Sequence, residues 1–238
     1  SYTESPGLPI LRKTVAQELY PGLEEDNILM FAAAEDGIFC CLNALIEPDD
    51  HVIVLTPCYQ SLLEIPQSKG AKVTTIELKE ENDWRINLAA VQNAINPNTK
   101  FIIINFPHKP TGQVIEEDEL KGLINICKSW DIWLFSDEVY RLLGAPNNPW
   151  SSPAACLYDK AFSLGVMSKA FGMAGLRIGW IAYQNKTMIK MIEHMRYYTS
   201  ICNSAPSEIL TLIALRNKNK ILHRNNKIVA DNLKLLDE

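Results

Sequence analysis

The sequence lacks the features that would place this chain in a membrane or on nucleic acid. No run of about 18 apolar residues, the length that a transmembrane helix needs, occurs among its 238 residues. The formal net charge of -5 removes the broad basic field on which nucleic-acid binding usually depends. The N-terminus also lacks the charged-then-apolar order of a signal peptide, so we expect a cytoplasmic protein.

Metal-binding spacings are absent as well. The six cysteines form no CxxC pair and no Cys/His pattern, and most lie within apolar runs, which is typical of reduced core thiols. We therefore expect no metal site. No repeat, low-complexity tract or Pro/Gly/Ser-rich linker divides the chain. With 47% hydrophobic and 21% charged residues, the composition is that of a folded globular domain.

Apolar runs of strand length alternate with segments whose apolar residues have helical spacing. The predicted strands are Ile28–Ala34, Val52–Leu55, Lys72–Glu77, Phe101–Asn105, Ile132–Ser136, Phe162–Gly165 and Ile178–Tyr183. The predicted helices are Leu8–Tyr20, Gly37–Ile46, Tyr59–Lys69, Asn87–Ala94, Glu116–Trp130, Lys186–Tyr198 and a segment from Ser207 onward. Continuous apolar strands are buried on both faces, which predicts an α/β fold with a mostly parallel seven-stranded sheet flanked by helices.

Three segments place polar groups directly after predicted strands, where α/β sheets bind ligands. Asn105–Gly112 is a loop with two prolines, Phe135–Tyr140 contains two carboxylates and a tyrosine, and Ser163–Trp180 places Lys169 just past a strand. Apolar neighbours would keep the Lys169 amine from water and favour its neutral form, which attacks aldehydes. Taken singly, the segments equally fit a structural turn, an N-cap supplied by Asp137 and a solvated lysine.

In order and spacing these segments resemble the motifs N-P-T-G, S-D-E-x-Y and S-x-S-K with a following G-x-R-x-G of the class I/II aminotransferases. These are fold type I enzymes that use pyridoxal 5′-phosphate (PLP). The resemblance covers essentially the whole chain and implies that residues 1–238 form the PLP-binding large domain. It also implies that the last ~40 residues lead as helix toward a C-terminal small domain. Most of that domain and the N-terminal arm are expected to be missing from the sequence.

The resemblance assigns roles to individual residues. Lys169 forms the Schiff base and moves the proton between the substrate Cα and the cofactor, Asp137 keeps the pyridine nitrogen protonated, and Tyr140 bonds the ring oxygen. Tyr59 stacks on the ring, Arg177 and Ser168 bind the phosphate with the helix start at Ala34 and Glu35, and Tyr2 reaches a phosphate across a homodimer interface. The implied cofactor-binding set is Tyr2, Ala34, Glu35, Tyr59, Lys109, Asp137, Tyr140, Ser168, Lys169 and Arg177.

Two positions depart from the family pattern. Lys109 replaces the asparagine that bonds the ring oxygen, and Val166 replaces a phosphate-binding serine. The implied activity is transfer of an amino group from an amino acid to a 2-oxo acid. Two alternatives stay open: another PLP reaction on amino acids, such as elimination, decarboxylation or cyclisation, and a truncated, non-catalytic protein with this fold.

Overall fold

A computed structural model describes residues 2–144 and 151–236, which form a seven-stranded sheet with helices on both faces. The strand order is β1-β7-β6-β5-β4-β2-β3, and every neighbouring pair is parallel except those that β7 makes with β6 and β1. The strands are β1 (Ile28–Phe31), β2 (His51–Thr56), β3 (Lys72–Glu77), β4 (Thr99–Asn105), β5 (Trp133–Asp137), β6 (Ala161–Val166) and β7 (Gly179–Tyr183). The predicted α/β, mostly parallel seven-stranded fold is confirmed.

The helices also follow the predicted order. They are α1 (Pro9–Leu19), α2 (Ala34–Leu45), α3 (Gln60–Ser68), α4 (Leu88–Ala94), α5 (Glu117–Trp130), α6 (Ala154–Leu157), α7 (Lys186–Arg196), α8 (Ala205–Arg216) and α9 (Lys218–Leu236). Only α6 was not predicted, because four residues are too short to show a helical period. Across residues 2–144 and 151–236, no helix has the length and apolar character needed to cross a membrane.

The sheet separates two layers of core side chains because successive strand residues point to opposite faces. In β4, Phe101 and Ile103 pack with α2, α3 and α7, whereas Ile102 and Ile104 pack with α4 and α5. A third cluster joins α1 and α8 to the edge strand β1 and its neighbour β7. All four of these β4 side chains are buried, as the continuous apolar run predicted.

The connection between β1 and α2 is tighter than the sequence indicated. The predicted strand Ile28–Ala34 ends at Phe31, and α2 begins at Ala34 rather than at Gly37. Ala33 turns the chain with a φ of 76°, and the Asp36 carboxylate accepts a hydrogen bond from the Ala32 N–H at 3.1 Å. These two local interactions end the strand although the alanines that follow continue the apolar pattern.

The antiparallel direction of β7 brings its first residues to the carboxyl ends of the parallel strands. Val166, the last residue of β6, pairs with Gly179, the first residue of β7. Arg177 therefore lies at the same edge of the sheet as Asn105 and Asp137, which pair at the ends of β4 and β5. Residues from four separate segments of the chain thus converge on one edge.

Gly179 is required by a close backbone approach, and its substitution gives a direct test of this packing. A Cβ at this position would lie 2.8 Å from the Ala33 carbonyl carbon and 2.9 Å from the Ala34 nitrogen. We expect Gly179→Ala to lower the free energy of unfolding by about 1–3 kcal/mol in urea titrations. Gly175→Ala, which meets nothing within 4 Å, is the matched control and should change it by less than about 0.5 kcal/mol. Equal stability of both variants would contradict this account.

Candidate active site

A cavity of about 210 Å³ opens at the carboxyl edge of the sheet. Its wall contains every residue of the predicted cofactor-binding set except Tyr2, so the structure brings together side chains from six segments of the chain. The wall also contains residues that the sequence did not assign, namely Ala33, Ile38, Asn105, Val139, Val166 and Ala174.

Asp137 lies at the end of β5 and is 2% exposed. Its Oδ1 accepts a hydrogen bond from the Val139 N–H at 3.1 Å, which is the one hydrogen bond to this carboxylate among the described residues. Burial raises the pKa of Asp137 to about 7, and the nearby Lys169 ammonium only partly opposes the effect. The described residues 138–144 contain no helix, so Asp137 does not cap a helix here; its carboxylate caps a short turn instead.

The adjacent acid, Glu138, points away from the cavity. Its Oε1 accepts hydrogen bonds from the Ser163 hydroxyl and the Ala154 N–H, and its Oε2 lies 3.7 Å from the Arg141 Nε. Glu138 thus links β6 to the start of α6 by hydrogen bonds, away from the cavity. Of the two carboxylates in this motif, Asp137 is the one available to a ligand.

Lys169 follows β6, and its Nζ lies 5.2 Å from the centre of the Tyr140 ring. The neighbouring Met167 and Ala170 are buried, but Lys169 itself is exposed. The expectation that apolar neighbours remove this amine from water is therefore wrong for the chain on its own: those side chains pack into the core beneath the loop while the lysine faces the open cavity. Tyr140 is half-buried beside it.

The proline-containing loop after β4 is fixed by a buried histidine. His108 Nε2 donates to the Pro57 carbonyl at 2.7 Å, and its Nδ1 accepts from the Thr111 hydroxyl at 2.7 Å. Burial lowers the pKa of His108, which favours this neutral form. The contact joins the β4 loop to the loop that precedes Tyr59. As a result, Lys109 Nζ lies 4.8 Å from the centre of the Tyr59 ring, within range of a cation–π interaction.

The start of α2 forms the part of the wall best suited to an anion. The N-cap residue Ala33 offers no side-chain hydrogen bond, so the first N–H groups of this 12-residue helix have no side-chain cap. Arg177 and Ser168 line the same cavity, and Arg177 is exposed there. Val166 also lies in this wall and offers no donor. The negative Glu35 also lines this cavity, and its carboxylate accepts a hydrogen bond from the Ser61 hydroxyl at 2.6 Å.

Two residues that the sequence interpretation missed complete the site around Asp137. Asn105 is buried, donates to the Asp137 carbonyl at 3.2 Å and accepts from the Lys109 N–H at 3.4 Å. Val139 lines the cavity two residues after Asp137. Both lie inside the quoted motifs, and their strand-end positions were the available signal. Tyr2, in contrast, is 85% exposed and does not line this cavity.

The aminotransferase class I and II family matches residues 1–238 of this sequence. The chain belongs to this family. An aspartate aminotransferase of Musicola paradisiaca is 27% identical over 203 residues, covering 81% of this chain and 51% of that protein. A probable aspartate/prephenate aminotransferase of Aquifex aeolicus is 30% identical over 188 residues, covering 76% of this chain and 48% of that protein.

Solved structures of the family share the fold. A PLP-dependent aminotransferase from Streptococcus suis superposes with a TM-score of 0.93 and 36% identity, over 98% of this chain and 61% of that one. A double mutant of the aspartate aminotransferase of Thermus thermophilus gives a TM-score of 0.89 and 25% identity, over 95% of this chain and 61% of the Thermus chain. The chain spans about half the length of the curated relatives it matches.

The raised pKa of Asp137 predicts a pH-dependent stability difference for Asp137→Asn in the cofactor-free protein. In the unfolded chain the carboxyl ionises near its usual value of 3.8, but in the folded chain near about 7. The wild type therefore loses stability as the pH rises through this window, and the amide does not. We expect equal stability at pH 4 and a more stable variant at pH 8, by on the order of 4 kcal/mol.

Urea unfolding followed by circular dichroism at both pH values measures this difference. The control is Asp159→Asn, which changes an exposed carboxylate and should differ little from the wild type at either pH. A stability difference between Asp137→Asn and the wild type that is the same at pH 4 and pH 8 would show that the Asp137 carboxyl carries no burial cost.

Proposed function

We propose that this chain is the PLP-binding large domain of an aminotransferase that moves an amino group from an amino acid to a 2-oxo acid. One observation carries the proposal. A single cavity of about 210 Å³ is lined by the Lys169 amine, the buried Asp137 carboxyl, the Arg177 guanidinium and the uncapped start of α2. Family membership supports the same reaction class.

The chemistry of the cavity wall fits PLP group by group. Free N–H groups at a helix start, with Arg177 and Ser168, are the donors that suit a phosphate dianion. A protonated pyridine nitrogen would supply a hydrogen-bonded cation, which Asp137 lacks among the described residues. Lys169 would hold the aldehyde carbon through its amine, and Tyr59 and Val139 offer aromatic and apolar surface for a flat ring.

When bound, PLP supplies an electron sink for negative charge at the substrate Cα. The protein contributes orientation and proton transfer. The Asp137 carboxylate would keep the ring nitrogen protonated, and Tyr140 would donate to the ring oxygen. The Lys169 amine would serve as the base that takes the Cα proton and returns it.

The position of Lys109 favours a second candidate, another PLP-dependent reaction. Its ammonium reaches the same cavity as Lys169 and lies over Tyr59, so the site holds one more positive charge than the family pattern has. An additional cation near the reacting carbon can stabilise a leaving group or bind a second substrate anion. Elimination, decarboxylation or cyclisation on the same scaffold is therefore the second candidate.

Cofactor uptake is the first expected outcome. PLP added to the protein should give a visible absorption band, and borohydride should remove the band and leave the cofactor attached to Lys169 in the peptide mass spectrum. Lys169→Ala should lose the band and at least about 100-fold of any activity, because it removes both the attachment point and the base. Lys13→Ala, an exposed lysine on α1, should behave as the wild type.

The products then distinguish the candidate reactions. In the presence of an amino acid and 2-oxoglutarate, transfer yields a new amino acid and a new 2-oxo acid, whereas elimination releases ammonia and decarboxylation releases carbon dioxide. Formation of ammonia or a cyclic product without a new amino acid would refute the transferase proposal. Absence of any PLP uptake would support the non-catalytic alternative.

A homodimer is part of the proposal, with Tyr2 acting on the site of the partner. Tyr2 is 85% exposed, and α8 leaves Ile209, Leu210 and Ile213 about half exposed, an apolar surface that a second copy could cover. Light scattering should give twice the chain mass of 26.8 kDa. A monomer at micromolar concentration with PLP bound would contradict the dimer and leave Tyr2 without a role.

We also propose that the protein is cytoplasmic. The six cysteines are all free, and Cys40, Cys41 and Cys127 are buried, as expected of a protein kept in a reducing compartment. Fractionation of the source cells, with the chain found in a compartment other than the cytoplasm, would contradict it.

A further inference from the structure

Asp36, in the first turn of α2, makes its hydrogen bonds outside the cavity. The residue does not line the cavity wall. Its Oδ2 accepts hydrogen bonds from the Ala32 N–H at 3.1 Å and the Ser200 hydroxyl at 2.9 Å, and its Oδ1 accepts one from the Thr199 hydroxyl at 3.0 Å. A carboxylate with this many donors is a fixed anchor rather than a solvated helix-start acid.

The anchor acts on the one turn whose geometry decides where the first N–H groups of α2 point. Ala33 in this turn has a φ of 76°, a conformation that residues with a side chain seldom adopt and that the surroundings must hold in place. Gly179 of β7 supports the turn on one side, with no room for a Cβ. Asp36 holds it on the other side through the Ala32 N–H.

The hydrogen-bond donors Thr199 and Ser200 belong to the α7–α8 loop (residues 197–204), which is itself linked to the start of the chain. Arg196 is fully buried and donates to the Ser5 carbonyl, to the Ile201 carbonyl and, at 2.8 Å, to Asn203 Oδ1. Through these bonds Arg196 links the α7–α8 loop to the segment of residues 3–8.

Further hydrogen bonds link the α7–α8 loop to both ends of the segment of residues 3–8. The Thr3 hydroxyl donates to the Asn203 carbonyl at 3.0 Å, and the buried Glu208 accepts from the Asn203 amide at 2.9 Å and from the Leu8 N–H at 3.3 Å. The network therefore runs without interruption from the start of α2 to the residues that follow Tyr2.

We infer that Asp36 is a positioning residue that fixes the phosphate-binding start of α2 and couples it to the order of residues 3–8. It acts through the Ala32 N–H on one side and through Thr199 and Ser200 on the other. The role in phosphate binding rests on the proposed function. The coupling to residues 3–8 does not, because it is a property of the chain without any ligand.

The sign of the effect distinguishes this role from simple electrostatics. Removing a negative charge near a bound anion would by itself tighten phosphate binding by up to about fivefold. Losing charge-assisted hydrogen bonds that hold the turn costs about tenfold or more. A positioning role therefore predicts weaker phosphate binding after the charge is removed, whereas a role limited to charge predicts tighter binding.

The experiment compares PLP with pyridoxal, which has the same aldehyde and ring but no phosphate. In Asp36→Asn the dissociation constant for PLP should rise by about two- to tenfold, the net of the two effects, while that for pyridoxal should not rise because Lys169 is unaffected. Hydrogen exchange of the ligand-free variant should be faster in residues 3–8 and 197–204. Asp118→Asn, which removes an exposed acid from the first turn of α5, is the matched control and should change none of these values.

The outcomes separate this inference from the proposed function. If the wild type takes up no PLP, the proposed function fails, and the hydrogen-exchange result alone decides the coupling. If the wild type binds PLP, then unchanged or tighter PLP binding in Asp36→Asn overturns the positioning role, as does an equal loss of PLP and pyridoxal. Ser200→Ala, which removes a single donor, repeats the comparison if Asp36→Asn does not fold, and should give the same pattern at a smaller size.

Discussion

The burial of one carboxyl group at the end of β5 is the constraint around which the site is built. Asp137 is 2% exposed and receives one hydrogen bond, from the Val139 N–H, among the described residues. A buried carboxylate with so few partners is costly, and its pKa is raised to about 7 as a result. The cost ends when a cation with an N–H donor enters the cavity. The ligand-free fold is therefore less stable, at a pH where this carboxyl is ionised, than it would be with the charge paired.

The topology of the sheet determines which groups meet that carboxyl. Parallel pairing aligns Asn105 and Asp137 at the ends of β4 and β5, and the antiparallel β7 brings Arg177 back to the same edge. Charge is divided accordingly. Asp137 lies on the β4–β5 side, whereas Arg177 and the positive end of the α2 dipole lie on the β7 side. A ligand with a positive ring nitrogen and a negative phosphate matches this division.

Most of the fold could be predicted from the sequence because apolar periodicity is a local signal, whereas most of the cavity wall was predicted only through the resemblance of the strand-end motifs to the aminotransferase family. Lys72–Glu77 is observed with the predicted bounds. The end of β1 could not be predicted, since nothing in three successive alanines shows that Ala33 has a positive φ. The exposure of Lys169 was missed because its apolar neighbours pack away from it. The partners of Asp36 were hidden because Thr199 is 163 positions away along the chain.

The two adjacent acids at the end of β5 differ in whether the protein pairs their charge. Asp137, the last residue of β5, lines the cavity, whereas Glu138, the next residue, does not. The Glu138 Oε1 accepts hydrogen bonds from the Ser163 hydroxyl and the Ala154 N–H. Its Oε2 has no hydrogen bond among the described residues, but it lies 3.7 Å from the Arg141 Nε, so the protein itself pairs this charge. Asp137 has no cation in hydrogen-bond contact among the described residues, and it faces a cavity. A buried carboxyl group that faces a cavity without a paired cation, and whose pKa is raised, tends to mark a place where function is opposed to stability. By this criterion Asp137 identifies the ligand site more firmly than Lys169, which is exposed and could rest in water at little cost.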